Sequence, residues 1–149
     1  MGMLGSRRIR IAVSGIMWAA VYNALWGVAW FVFMRDEWQV AFAAIGRPQA
    51  WTAGVWIVWG IVTLPLGAAV MAHADSGPRR LMLALRAALL LAFLFSLGMT
   101  VWGVQESLSL RVLALDGLVN VLSMPLASLA ALATFPPRAA APFGTNEAK

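Results

Sequence analysis

Polar and apolar residues along this chain fall into blocks rather than fine stripes. From Ile11 to Met34 there is no charged side chain, and the same holds for Trp51 to Ala72, Ala87 to Val104 and Gly117 to Pro136. Leu81 to Leu85 extends the third block back past Arg86, and the fourth is read as starting near Leu110, which takes in Asp116. A helix rises about 1.5 Å per residue and needs about 20 mostly apolar residues to cross bilayer hydrocarbon. Each block qualifies. Each is also apolar all round, as expected where one face meets lipid and another meets neighbouring helices. The predicted class is all-α: a polytopic four-transmembrane-helix bundle forming a single membrane domain over 1–149. Its helices fall at about 11–34, 51–72, 81–104 and 110–134, with a loosely held tail at about 137–149. The first block exceeds the 7–15 apolar residues of a typical signal-peptide core. It is therefore read as an uncleaved helix.

Between the first two blocks, Trp38, Ala41, Phe42 and Ile45 fall at i, i+3, i+4, i+7. Asp36 and Glu37 precede them and Gly46-Arg47-Pro48 follows, which are start and stop signals. This predicts a short amphipathic helix at about 36–46 lying on the outer membrane surface. The competing reading extends the first helix above the membrane.

The charged residues orient the blocks. Arg7, Arg8 and Arg10 precede the first, Arg79, Arg80 and Arg86 mark the turn between the second and third, and Arg138 and Lys149 follow the fourth. The other side carries only Arg35, Arg47 and Arg111, accompanied by Asp36, Glu37 and Glu106. The excess of basic residues marks the cytoplasmic side, which places both termini there. Trp30, Trp38, Trp51, Trp56 and Trp102 cluster at the predicted outer interface, where amphipathic rings favour the headgroup level. The expected location is the plasma (inner) membrane of a bacterial cell, multi-pass.

Composition agrees and removes several chemistries. Hydrophobic residues make up 62% of the 149 residues and charged ones 11%, against about 45–50% and 25% in soluble domains. There is no cysteine, so thiol redox and thiolate metal sites are excluded. One histidine, His73, excludes haem held between two histidines of this chain, and with Asp75 alone beside it there are too few ligands for a metal. The net charge of +5 is explained by topology and does not call for nucleic acid. No HExxH, GxSxG or phosphate-cradling glycine loop is present. No cofactor and no metal are expected, no catalytic residue is assigned, and the reading leans away from an enzyme.

A weak internal repeat runs through the blocks. Thr63-Leu64-Pro65-Leu66-Gly67 matches Ser123-Met124-Pro125-Leu126-Ala127, and Trp26-Gly27-Val28 matches Trp102-Gly103-Val104. Two helical hairpins inserted the same way up, related by a pseudo-two-fold axis along the membrane normal, would give this pattern. Each proline frees a carbonyl one turn back, at Ile61 and Val121, and the Thr63 and Ser123 hydroxyls are the nearby donors expected to help.

Three constellations are candidates for function. Asp116, Asn120 and Ser123 share one helix face, and an ionisable group at membrane depth is costly enough to suggest a role. The plain alternative pairs Asp116 with Arg111 or with interfacial water. Asn23, Thr63, Ser96 and Asn120 fall at similar depth near the midplane, as one polar layer that is either interhelical glue or a ligand site with Asp116 at its outer mouth. Trp18, Tyr22, Trp26 and Trp30 recur every four residues, as a packing seam or as the wall of an aromatic groove. The favoured expectation is a non-enzymatic membrane protein acting through helix contacts, as an accessory or assembly subunit or a small oligomer. Its partners are lipid and other membrane subunits or further copies of itself. The alternative is a small-molecule or lipid carrier using the midplane layer and Asp116.

Overall fold

The computed structural model describes residues 2–47 and 53–134, with side chains from Arg7 onward in the first segment. Among these residues the only regular elements are helices, and four are long and apolar enough to cross a membrane. They are α1 (Gly2–Ala29), α3 (Ala53–Ala74), α4 (Arg80–Gln105) and α5 (Leu110–Ala133), with a shorter α2 (Arg35–Ala44) after α1. Trp51, Arg138, Lys149 and the expected tail at 137–149 lie outside the described residues.

The long helices pack around one core. α1 lies against α3 on one side and α5 on the other, α4 lies against α5, and the ring closes where α3 meets α4, its least extensive seam. Small residues set the closest approaches. A Cβ on Gly15 would stand 2.7 Å from the Ala68 backbone, and one on Gly67 would strike the Gly15 carbonyl oxygen. These glycines let α1 and α3 meet backbone to backbone, as apolar helices do where van der Waals contact is the main attraction. On α4, Ala84, Ala88 and Ala92 form a fully buried strip, and Gly103 leaves room for the Leu113 side chain of α5. The large aliphatic side chains mostly face outward: Leu90, Leu94, Leu122 and Ile61 are all at least half exposed.

The segment after α1 departs from the expected surface helix. α2 continues α1 without a turn, through a five-residue π-helical stretch, Trp30–Met34. The apolar set Trp38, Ala41, Phe42 and Ile45 faces the bundle, with Trp38 and Ala41 buried and Phe42 and Ile45 packed on the core. Its amphipathicity therefore serves protein packing. Trp30 and Trp38, expected at the headgroup belt, are 4% and 2% exposed for the same reason. Gly46 ends α2 at φ +72°, with Arg47 N–H donating to Phe42 O and Gly46 N–H to Ala43 O, the glycine-capped end that its left-handed conformation permits. α4 ends the same way, except that a serine, Ser107, occupies the left-handed position at φ 61°. Ser109 then caps α5 by accepting from Val112 N–H.

The two prolines lie inside α3 and α5, but the hydroxyls near them bond elsewhere than expected. Thr63 donates to Gly60 O and Ser123 to Val119 O. Each hydroxyl is committed to a carbonyl about one turn back on its own helix, and not to that of Ile61 or Val121.

Ion pairs tie the ends together. The Asp75 side chain, fully buried, accepts from Arg7 at 2.8 Å and Arg80 at 3.2 Å, joining the end of α3 to the starts of α1 and α4. At the opposite end Arg47 pairs with Glu106, and Arg111 pairs with Glu37 at 2.6 Å. Arg111 thus latches α2 onto α5 and is not the partner of Asp116. Asp75→Asn is expected to cost about 2 kcal/mol, because it weakens two charge-assisted bonds to an enclosed acceptor. Glu37→Gln, in a largely exposed pair, is expected to cost under about 1 kcal/mol. Reversible unfolding in mixed micelles measures both, and equal costs would contradict this ranking.

Candidate functional site

The aromatic stripe of α1 organises the interior. Trp18 and Tyr22 stack with ring centroids 5.2 Å apart, and Trp26 and Trp30 stack at 5.8 Å. A four-residue spacing advances about 40° per step on an α-helix, because each residue turns about 100°. From Trp18 through Tyr22, Trp26, Trp30, Met34 and Trp38 to Phe42 the drift would accumulate to about 240°, carrying the last rings to the wrong side. The π-helical stretch, with its wider turn, offsets part of this drift. Met34 and Trp38 accordingly stay in the core.

Three polar links tie α1 to its neighbours. The Trp18 indole donates to Ser128 Oγ at 2.8 Å. The Tyr22 hydroxyl donates to Asn120 Oδ1 at 2.7 Å. Asn23, on the adjacent face, donates to Thr63 Oγ1 at 2.8 Å and to Ala19 O at 2.7 Å. Asn120 passes the second link on: its Nδ2 donates to Asp116 Oδ2 at 3.0 Å and to Asp116 O at 3.0 Å. With its oxygen committed to a donor and its nitrogen to an acceptor, the amide has one sensible orientation.

The expected polar layer therefore divides. Asn23 and Thr63 satisfy each other across α1 and α3, as glue. Asn120 and Asp116 form a separate couple on α5. Ser96 joins neither: its buried hydroxyl has no hydrogen-bond partner, and it stands beside Gly117, where an added Cβ would come 3.5 Å from its Oγ. Ser123 is buried and bonded back along its own helix. His73, exposed near the end of α3, lies far along the bundle from Asp116.

Asp116 and Asn120 line a cavity of about 370 Å³. All five helices contribute to it. Its other walls are Trp26 from α1, Trp38 and Phe42 from α2, Trp59 from α3, and Phe95, Met99 and Trp102 from α4. Ring contacts knit the walls: Trp59 meets Phe95 edge-on at 5.5 Å across the α3–α4 seam, and Phe42 meets Trp102 at 6.2 Å. Asp116 is 3% exposed, and no basic side chain pairs with it among the described residues. The arrangement can hold an apolar body among rings and present one carboxylate and one amide to it. Of the aromatic stripe, Trp26 faces this space, whereas Trp18 and Tyr22 are fully enclosed in packing.

Sequence reasoning missed most of the walls. Phe95, Met99 and Trp102 fall at i, i+4, i+7 and so share a face of α4, a legible signal. The four-residue aromatic spacing also runs on past Trp30. Neither pattern says which faces meet.

Tyr22→Phe leaves Asn120 Oδ1 enclosed without its donor and is expected to cost about 1 kcal/mol. In an Asn120→Leu background the same change is expected to cost nearly nothing, so a double-mutant cycle on unfolding free energies reads a coupling of about 1 kcal/mol. Additive effects would show that the hydroxyl and the amide act independently. Comparison with protein-family models, with curated proteins and with solved structures finds no match for this chain.

Proposed function

We propose that this chain is a small multi-pass membrane protein that binds a small molecule or lipid in the aromatic cavity, as a carrier or binding protein rather than an enzyme. One observation carries the reading: a buried acid that no basic side chain among the described residues pairs with lines a space walled by side chains from every helix. Cavities of a few hundred Å³, largely apolar with a few fixed polar groups, are typical of small-molecule sites. The site offers little for acid–base chemistry, since Asn120 stands between the Tyr22 phenol and the Asp116 carboxylate.

The proposal includes insertion in a bilayer with both termini in the cytoplasm, in the plasma (inner) membrane. The basic residues at the Asp75 end and the outward-facing Leu, Ile and Val support it. The cavity then lies in the outer half of the membrane. We also read the chain as two repeated hairpins, supported by the matched burial of Thr63 with Ser123 and of Gly67 with Ala127.

A second reading, an accessory subunit or small oligomer, has its own support. A Cβ on Gly27, Gly60 or Gly98 would meet nothing within 4 Å, so close approach by another helix is open there. Native mass spectrometry of the protein released from lipid nanodiscs separates the two. The binding reading expects a co-purifying small molecule or lipid that is lost from Asp116→Asn and Trp59→Leu while helicity is unchanged. A stoichiometric protein partner, with no dependence on the cavity variants, would favour the subunit reading and contradict the binding one.

A further inference from the structure

We propose that the ligand of the aromatic cavity is a lipophilic organic cation, an alkyl- or aryl-substituted ammonium or phosphonium, with its charge held between the indole faces and the Asp116 carboxylate. This rests on the binding reading above and adds the chemical class.

Charge accounting leads to it. Glu37 is paired with Arg111, Asp75 with Arg7 and Arg80, and Glu106 with Arg47. Asp36 is exposed. Asp116 is enclosed, and among the described residues the only side chain that bonds it is the neutral amide of Asn120. A carboxylate has two oxygens and about four acceptor positions, so most of its capacity is unused by the protein. An enclosed charge of this kind is stabilised chiefly by a partner of opposite sign, and the described residues offer none. Arg111 is one and a half turns away on the same helix and is committed to α2.

The walls choose the kind of cation. Trp is the strongest aromatic partner for a cation placed over its face within about 6 Å of the ring centroid, and the attraction grows when water is excluded. Trp26, Trp38, Trp59 and Trp102 all line the space. A hard inorganic cation needs about six oxygen ligands, and among the described residues no cluster of three metal-binding side chains exists. A cation wrapped in alkyl or aryl groups is weakly hydrated, loses little on leaving water and fills an apolar volume of about 370 Å³. The Trp38 and Trp59 indole N–H groups are buried without a hydrogen-bond partner among the described residues, which leaves donors on the cavity walls for an oxygen on the same ligand. The α3–α4 seam, the least extensive of the ring, gives such an amphiphile a lateral way in past Trp59 and Phe95.

Tetraphenylphosphonium and tetraphenylborate test this, being nearly the same in size and shape and opposite in charge. Binding to the protein in nanodiscs of zwitterionic lipid is followed by tryptophan fluorescence, with protein-free nanodiscs as the partition control. The whole chain carries a net charge of +5, which by itself favours the anion, so a preference for the cation must be local. Saturable phosphonium binding at least about tenfold tighter than borate binding is expected. Asp116→Asn should abolish the preference. Trp59→Leu keeps the acid and removes one ring, and should weaken phosphonium severalfold with borate unchanged. Equal binding of the two ions, or phosphonium binding unaffected by Asp116→Asn, would overturn the cationic class and leave the cavity as a binding site. Saturable binding of neither ion would overturn the cavity reading as well.

Discussion

The arrangement turns on one enclosed carboxylate. Asp116 takes a single side-chain hydrogen bond, from an amide that is itself held in place by a phenol on another helix. Burying a charged or strongly polar group without full compensation is among the costlier things a fold can do. Among the described residues, Glu37, Asp75 and Glu106 are each paired with arginine and Asp36 is exposed, so Asp116 is the one enclosed acid without a basic partner. Tyr22, Asn120 and Asp116 form a line from α1 into α5 that points the acid at a space, and the space is walled by rings.

The rings are placed by α1 and its continuation. A run of large side chains every four residues cannot stay on one side of a regular α-helix for seven positions. The π-helical stretch at Trp30–Met34 offsets part of the mismatch and helps α1 and its continuation supply both the central packing seam and part of the cavity wall. Gly15 and Gly67 bring α3 close to α1, and the polar pair Asn23–Thr63 locks that seam. The α3–α4 side is left looser, with Trp59 against Phe95.

Much of the framework was legible because apolar blocks without charge have few other uses. The four long helices, the stop at Gly46 and the buried face shared by Asp116, Asn120 and Ser123 all follow from spacing and residue type. The errors share one cause. Trp30, Trp38 and the amphipathic set at 38–45 read as headgroup residues and pack in the core instead, because a sequence shows that a face is apolar without showing what covers it. Asp116 and Arg111 are near in sequence, yet Arg111 pairs with Glu37. Asp75, which looked like a bystander to His73, is the buried anchor of the opposite end, since its two arginine partners come from helices that only the tertiary fold brings together. Local patterns set helices. They do not set neighbours.

The most direct measurement is a structure of the protein in lipid nanodiscs, determined by cryo-electron microscopy with a bound antibody fragment and a lipophilic cation present. The account expects density for the cation among Trp26, Trp59 and Trp102, in contact with the Asp116 carboxylate, and Tyr22 still donating to Asn120. A collapsed space with Asp116 turned onto Arg111, or an acyl chain filling the cavity while the cation is absent, would contradict it.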